Sequence, residues 1–243
     1  MVAFACSGVS SDMSGNTYWL LRHGRSRPNE AGVVISLPEN GVKAEHGLSP
    51  AGVAQARRAG ELLRECVGSD GEARDVHIYT SDFSRARETA ELVASSAFGW
   101  GPDKVVVDEL LRERCFGRAL ERQADEPSYR GVWEQDARTS AADGYHVTQG
   151  GRDEDFDKDG DGRLESAWDV SERAAAAMDA YEARHRSSHV VLVSHGDLLS
   201  ILRATQAAKV EAGGSPREAL ARRLAAHRDL ALDNATLVPL GSW

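Results

Sequence analysis

Four short segments of this 243-residue chain carry side chains able to handle a phosphate group. The first, Leu21-Arg22-His23-Gly24-Arg25-Ser26-Arg27-Pro28-Asn29, sets three arginines and a histidine within six residues. Guanidinium groups match phosphate oxygens through paired N–H bonds, and a neutral imidazole is a nucleophile near neutral pH. A solvated basic turn is the alternative for these residues taken alone. The second runs from Thr80 to Ala90 (TSDFSRARETA) and opens a helix, whose first N–H groups favour an anion. Arg85 falls in that first turn, where the helix dipole disfavours a cation, so its placement points to a task such as phosphate binding. A surface pair with Glu88 is the alternative. The third, Leu111 to Gly117 (LRERCFG), puts Glu113 between two arginines, as a surface pair or as a proton donor beside a phosphate. The fourth, Val193-Ser194-His195-Gly196-Asp197, ends an apolar run and precedes a helix; His195 there suits a site or a structural loop.

The elements that must position these residues alternate between strand and helix. Thr17–Leu21, Val76–Thr80, Val105–Val107, His189–Val193 and Ala235–Leu240 read as strands. HVVLV at 189–193 is a continuous apolar run of the kind that parallel sheets bury on both faces. Helices are expected from Ser49-Pro50, a good N-cap followed by a proline at the first helical position. Others are expected at Ser84–Ala97, Trp168–His185, Asp197–Ala208 and Pro216–Arg228. Residues 28–47 read as a long surface loop lining the site, and 118–167, polar and rich in Gly and Asp, as a cap. The pattern predicts an α/β fold, a three-layer α/β/α sandwich around a mostly parallel sheet. A flexible leader over 1–16 would precede a single domain over 17–243, with the cap at about 118–167.

Taken together, the four segments resemble the signature of the histidine phosphatase superfamily, the phosphoglycerate mutase-like proteins. Arg22-His23-Gly24, Ser81 to Ala86, Leu111 to Gly117 and Ser194-His195-Gly196 stand in that family's order, and the resemblance covers 17–240. It implies that His23 takes the phosphoryl group and that Arg22 and Arg85 clamp its oxygens. His195 would donate a further hydrogen bond, Glu113 would protonate the leaving oxygen, and Asn29 would touch the phosphate. Arg87 matches no clamp position. No metal or other cofactor is required by such chemistry. His23 must be neutral to attack, and Glu113 must hold a proton, which nearby phosphate charge favours.

Within the family, a phosphatase is expected over a mutase. The mutases carry a Gly-Trp-x-Asp-like stretch after the first motif, where this chain has Val33 to Asn40 (VVISLPEN). A polar, Gly-rich cap is also poorly suited to keeping water from a phosphohistidine. The alternatives are a cofactor-dependent phosphoglycerate mutase and a catalytically weak phospho-ligand binding protein. Tyr129, Trp133, Tyr145 and His146 are candidates for substrate contact. The sequence carries no readable code for the leaving group, and a small phosphorylated metabolite is the expected partner.

Composition narrows the remainder. A net charge of −9 argues against a nucleic-acid or anionic-membrane binder, so an anionic substrate must meet a local basic pocket. No apolar run reaches the roughly 20 residues that span a bilayer. Three widely spaced cysteines, Cys6, Cys66 and Cys115, read as reduced thiols in a cytoplasmic setting, with a transit peptide as the alternative reading of the leader. The acidic run 152–164 holds Asp157, Asp159 and Asp161 at positions 1, 3 and 5 of an EF-hand-like calcium loop. Position 12 is Trp168 instead of a bidentate Glu, so a solvated loop is the alternative to a Ca²⁺ site that orders the cap.

Overall fold

The computed structural model describes residues 15–68, 76–142, 164–211, 215–241 and 243. Five strands, β1 (Thr17–Arg22), β2 (Val76–Thr80), β3 (Val105–Val107), β4 (His189–Ser194) and β5 (Leu237–Gly241), form one sheet in the order β3-β2-β4-β1-β5. All pairings are parallel except that of β1 with the C-terminal edge strand β5. Period-two alternation sorts the strands' side chains between two cores. Tyr18, Leu20, Tyr79, Val190 and Leu192 face one side, and Trp19, Leu21, Ile78, Val191 and Val193 the other.

Helices cover both faces. They are α1 (Arg27–Ala31), α2 (Pro38–Gly41), α3 (Pro50–Val67), α4 (Ser84–Phe98), α5 (Asp125–Ala142), α6 (Ala167–Arg184), α7 (Gly196–Lys209) and α8 (Pro216–Ala225). Helices α3 and α4 pack on the Trp19 side through Ala59, Leu63, Ala90 and Val93. Helices α6, α7 and α8 pack on the Tyr18 side through Ala174, Met178, Leu198, Leu202 and Leu224. The expected α/β three-layer architecture is therefore present. Ser49 caps α3 by accepting from Gly52 N, with Pro50 in the first turn.

Two segments differ from the sequence expectation. Residues 28–47 are not a surface loop: they hold α1, α2 and a 3₁₀ turn (Ala44–His46), and Val34, Ile35 and Leu37 are buried. One carboxylate organises the middle of this stretch. Glu121 accepts from Ser36 N, Ser36 Oγ, Leu37 N and Asn40 Nδ2, a set of bonds that reaches across more than eighty residues and leaves no local pattern. The second segment is the cap, which contains α5. At the other end, Asn16 packs against the body of the domain. It is 6% exposed, donates to His185 O and Glu182 Oε2, and accepts from Ser188 N. No described helix is long and apolar enough to cross a membrane.

Candidate active site

The register of β1 against β4 does most of the assembly. Arg22 pairs with Ser194, so the next residue of each strand, His23 and His195, leaves the carboxyl edge of the sheet beside the other. His23 N donates to Ser194 O at 2.9 Å, and the two imidazole centroids lie 5.1 Å apart, edge to face. This edge is where open α/β sheets place ligand chemistry. Helices α4 and α7 both begin here, after β2 and β4, and neither has a side-chain N-cap bond. Their first turns therefore present N–H groups toward the same region.

Hydrogen bonding fixes the state of His23. Its Nδ1 lies 2.7 Å from Gly24 O, an atom that only accepts, so Nδ1 carries the proton. Arg85 Nε–H donates to Nε2 at 3.2 Å, so Nε2 carries the lone pair. Burial, with Arg85 and Arg22 close by, holds the imidazole well below its ordinary range, so it is neutral at physiological pH. His23 thus presents an unprotonated nitrogen beside a cation. Gly24 is tied to α4 by its own N–H, which donates to Thr89 Oγ1.

Around Nε2, four buried side-chain nitrogens have no hydrogen-bond partner among the described residues: Arg22 Nε, Arg85 Nη1, and Nδ1 and Nε2 of His195. Each group is otherwise fastened. Arg22 Nη1 donates to Leu232 O at 2.6 Å, and Arg85 Nη2 to Ile35 O at 3.1 Å. His195 sits edge-on to Phe83 and His23, and burial with Arg85 nearby keeps it neutral. A neutral His195 holds one ring proton, so three of the four nitrogens are donors; buried donors are normally satisfied, and unpaired ones gathered in one place call for an acceptor from outside. An oxyanion has the acceptor oxygens to meet these donors, and Gly196 packs beside the Arg22 guanidinium. A Cβ there would lie 3.4 Å from the Arg22 guanidinium carbon.

Glu113 borders the same cavity. Its Oε1 accepts from Arg114 N at 2.9 Å and from Leu198 N, in the first turn of α7, at 3.3 Å. Burial and then the Asp197 charge raise its pKa, against lowering by Arg114 N and the two clamp arginines. The surroundings of Glu113 thus shift it toward its protonated form, and Asp197 is a cause the sequence did not disclose. Ser194 Oγ donates to Leu111 O at 2.7 Å, fastening the Glu113 segment to the end of β4.

The cavity has a volume of about 340 Å³. Arg22, His23, Arg85 and Glu113 meet in it, and Asn29 lies on its wall. Asn29 Oδ1 accepts from Ser26 N in a capping box, so only Nδ2 remains to serve a ligand. Arg87 points away and pairs with Glu91. The pairing of Arg85 with Glu88 does not form; Glu88 accepts from Leu48 N instead. Tyr129 and Trp133 line the cavity from α5 and stack on one another. Tyr145, His146, Asp157, Asp159 and Asp161 lie outside the described residues, as does Cys6. Cys66 packs, partly buried, against the core on the Trp19 side. Cys115 is a free thiol, pushed up to about 11 by burial, which leaves little reactive thiolate at neutral pH.

Sequence reasoning missed an ion-pair network behind the cap. Arg114, 2% exposed at its side chain, makes a two-bond pair with Asp136 of α5 (2.5 and 2.9 Å) and reaches Asp197 at 3.4 Å. Trp133 Nε1 and Arg228 Nη1 also donate to Asp197. Arg228 and Asp197 both line the cavity. Asp197 stood next to the fourth motif and offered a clue. Arg228 sat in a basic helix end that reads as ordinary surface.

The carboxyl edge of this α/β sheet thus gathers paired imidazoles and unpaired guanidinium N–H groups. The chain belongs to the histidine phosphatase superfamily (branch 1), whose sequence profile matches residues 18–238. A metal-independent phosphoserine phosphatase from Arabidopsis thaliana is 30% identical over 190 residues, 77% of this chain and 68% of that protein. Phosphoglycerate mutase-like protein 4 of the same plant is 30% identical over 155 residues, 64% of this chain and 58% of that protein. Among solved structures, a mycobacterial glucosyl-3-phosphoglycerate phosphatase superposes with a TM-score of 0.57 at 24% identity, covering 92% of this chain and 91% of that one, and shares the fold.

Proposed function

We propose that this chain is a phosphatase that hydrolyses a small phosphomonoester through a phosphohistidine at His23. The observation that carries the reading is the fixed tautomer of His23, with its lone pair at Nε2 turned toward Arg85 and beside unpaired buried donors. Nε2 gives up its hydrogen bond from Arg85 Nε and attacks phosphorus, the P–O bond to the alcohol breaks, and the leaving oxygen takes the proton of Glu113. Water then attacks the phosphohistidine, giving its proton to the Glu113 carboxylate as the P–N bond breaks and phosphate leaves. Arg22, Arg85 and His195 hold the equatorial oxygens throughout, and Asn29 Nδ2 adds a bond at the rim. Phosphoryl transfer depends mainly on such positioning and charge stabilisation, and these side chains supply both.

Phosphatases among the similar proteins support hydrolysis, including one that its name describes as metal-independent and active on phosphoserine. The test is phosphate release from p-nitrophenyl phosphate. The expected result is turnover by the wild type and loss by at least about 10³-fold in His23→Ala, as for removal of a covalent nucleophile. Release at the wild-type rate by His23→Ala would refute the proposal. Interconversion of phosphoglycerates without release of phosphate would instead mark a mutase.

A further inference from the structure

We propose that Arg228 is a second anion anchor, which selects phosphomonoesters whose alcohol portion bears a carboxylate. The inference rests on the phosphatase reading and names the residue that recognises the leaving group.

Arg228 lies in the 3₁₀ turn His227–Leu230 that follows α8, and it lines the same cavity as His23 and Glu113. Two contacts hold its guanidinium. The group lies over the Trp133 ring, 3.7 Å from the centroid, and Nη1 donates to Asp197 Oδ1 at 3.0 Å. Trp133 is itself pinned, because its Nε1 donates to both oxygens of Asp197 at 2.9 and 3.0 Å. Asp197, which holds both Trp133 and Arg228, is only 2% exposed, so the indole beneath Arg228 is anchored to a buried carboxylate.

This arrangement spends one N–H of Arg228 and leaves the edge formed by Nε and Nη2, whose N–H bonds run parallel. Among the described residues that edge has no hydrogen-bonding partner, and the side chain is 32% exposed. A parallel pair of N–H donors matches the two oxygens of a carboxylate. Holding the fork flat on an indole lowers the entropy lost when it binds. The clamp around His23 already accounts for one anion, so this fork is available to another part of the same substrate. Besides Glu113 and Asp197, two further carboxylates, Asp125 and Glu126, line the cavity, and each has a partner of its own. Asp125 Oδ1 accepts from Glu126 N, and Glu126 pairs with Arg130. A cavity of about 340 Å³ suits a small metabolite with two charged ends.

The experiment compares 3-phosphoglycerate with glycerol 3-phosphate, which differ in a carboxylate against a hydroxymethyl group. The readout is the ratio of their kcat/KM values on the full chain. The wild type is expected to favour 3-phosphoglycerate by about 10- to 100-fold, the range for a charge-assisted hydrogen-bond pair. In Arg228→Gln the ratio falls toward one. In Arg228→Lys, which keeps charge but loses the fork, it lies between. A wild-type ratio near one, or equal losses on both substrates in the variants, overturns the role of Arg228 and leaves the phosphatase reading standing. If Arg228→Gln does not fold, Arg228→Lys carries the test, and an unchanged ratio there refutes the anchor. No phosphate release by the wild type from either ester or from p-nitrophenyl phosphate sinks the phosphatase reading, and the anchor with it.

Discussion

The proposed reaction needs His23 neutral and Glu113 protonated, and the surroundings of each push it in that direction. Burial and two guanidinium groups lower the His23 pKa, so its free nitrogen survives to a pH below the ordinary imidazole range. Burial and Asp197 raise Glu113, so its proton survives above the ordinary carboxylate range. Activity should therefore fall at low pH as His23 gains a proton and at high pH as Glu113 loses one. A flat profile of kcat/KM between these limbs and beyond would contradict the assignment. Glu113→Gln should slow hydrolysis of an alkyl phosphate by about 10²- to 10⁴-fold, the usual scale for lost proton transfer, and should remove the alkaline limb. Sequence revealed these residues because each sits in a short local motif. It did not reveal Asp197 and Arg228 as participants, because their roles depend on a tryptophan and an arginine distant in the chain.

At the scale of elements, the site is held by backbone closeness that only glycine allows. Gly24 and Gly52 pack against each other where the segment after β1 crosses the start of α3. A Cβ on Gly24 would lie 2.6 Å from Gly52 O, and one on Gly52 would lie 2.0 Å from Arg25 O. Gly52→Ala should thus force the 24–25 backbone away from α3. The expected cost is about 1–3 kcal/mol of stability, typical of overpacking, with a fall in kcat as His23 shifts. Thermal unfolding and steady-state kinetics on one preparation measure both, and unchanged values for the two would refute this packing argument. The strands and long helices were legible because hydrophobic period and caps are local signals. The 28–47 segment was not. Its order comes from Glu121 and from Arg85 bonding Ile35 O, partners that no window of sequence contains.

At the scale of the molecule, the cap is joined to the body through buried charge. Asp136 of α5 meets Arg114, the neighbour of Glu113, and approaches His227 Nε2 at 3.4 Å. Burial raises the Asp136 pKa, but the bonds to His227 and Arg114 outweigh it and hold the carboxyl below its usual value. A depressed folded-state pKa contributes stability above the unfolded value and loses it as pH falls through the folded one. This latch should therefore weaken below about pH 4, where a free aspartate begins to protonate. Asp136→Asn leaves Arg114 buried with a lost partner and should cost about 3–5 kcal/mol in denaturant unfolding at neutral pH. A loss within experimental error of zero would show that the cap does not depend on the pair.

Transfer through Nε2 of His23 would leave a phosphoryl group on that nitrogen. Mixing the protein with a phosphomonoester, quenching in alkali and mapping the modified peptide by mass spectrometry tests it most directly. The predicted result is an alkali-stable, acid-labile phosphate on Nε2 of His23, absent from His23→Ala. Phosphate on another residue, or turnover by the wild type with His23 never labelled, would contradict it.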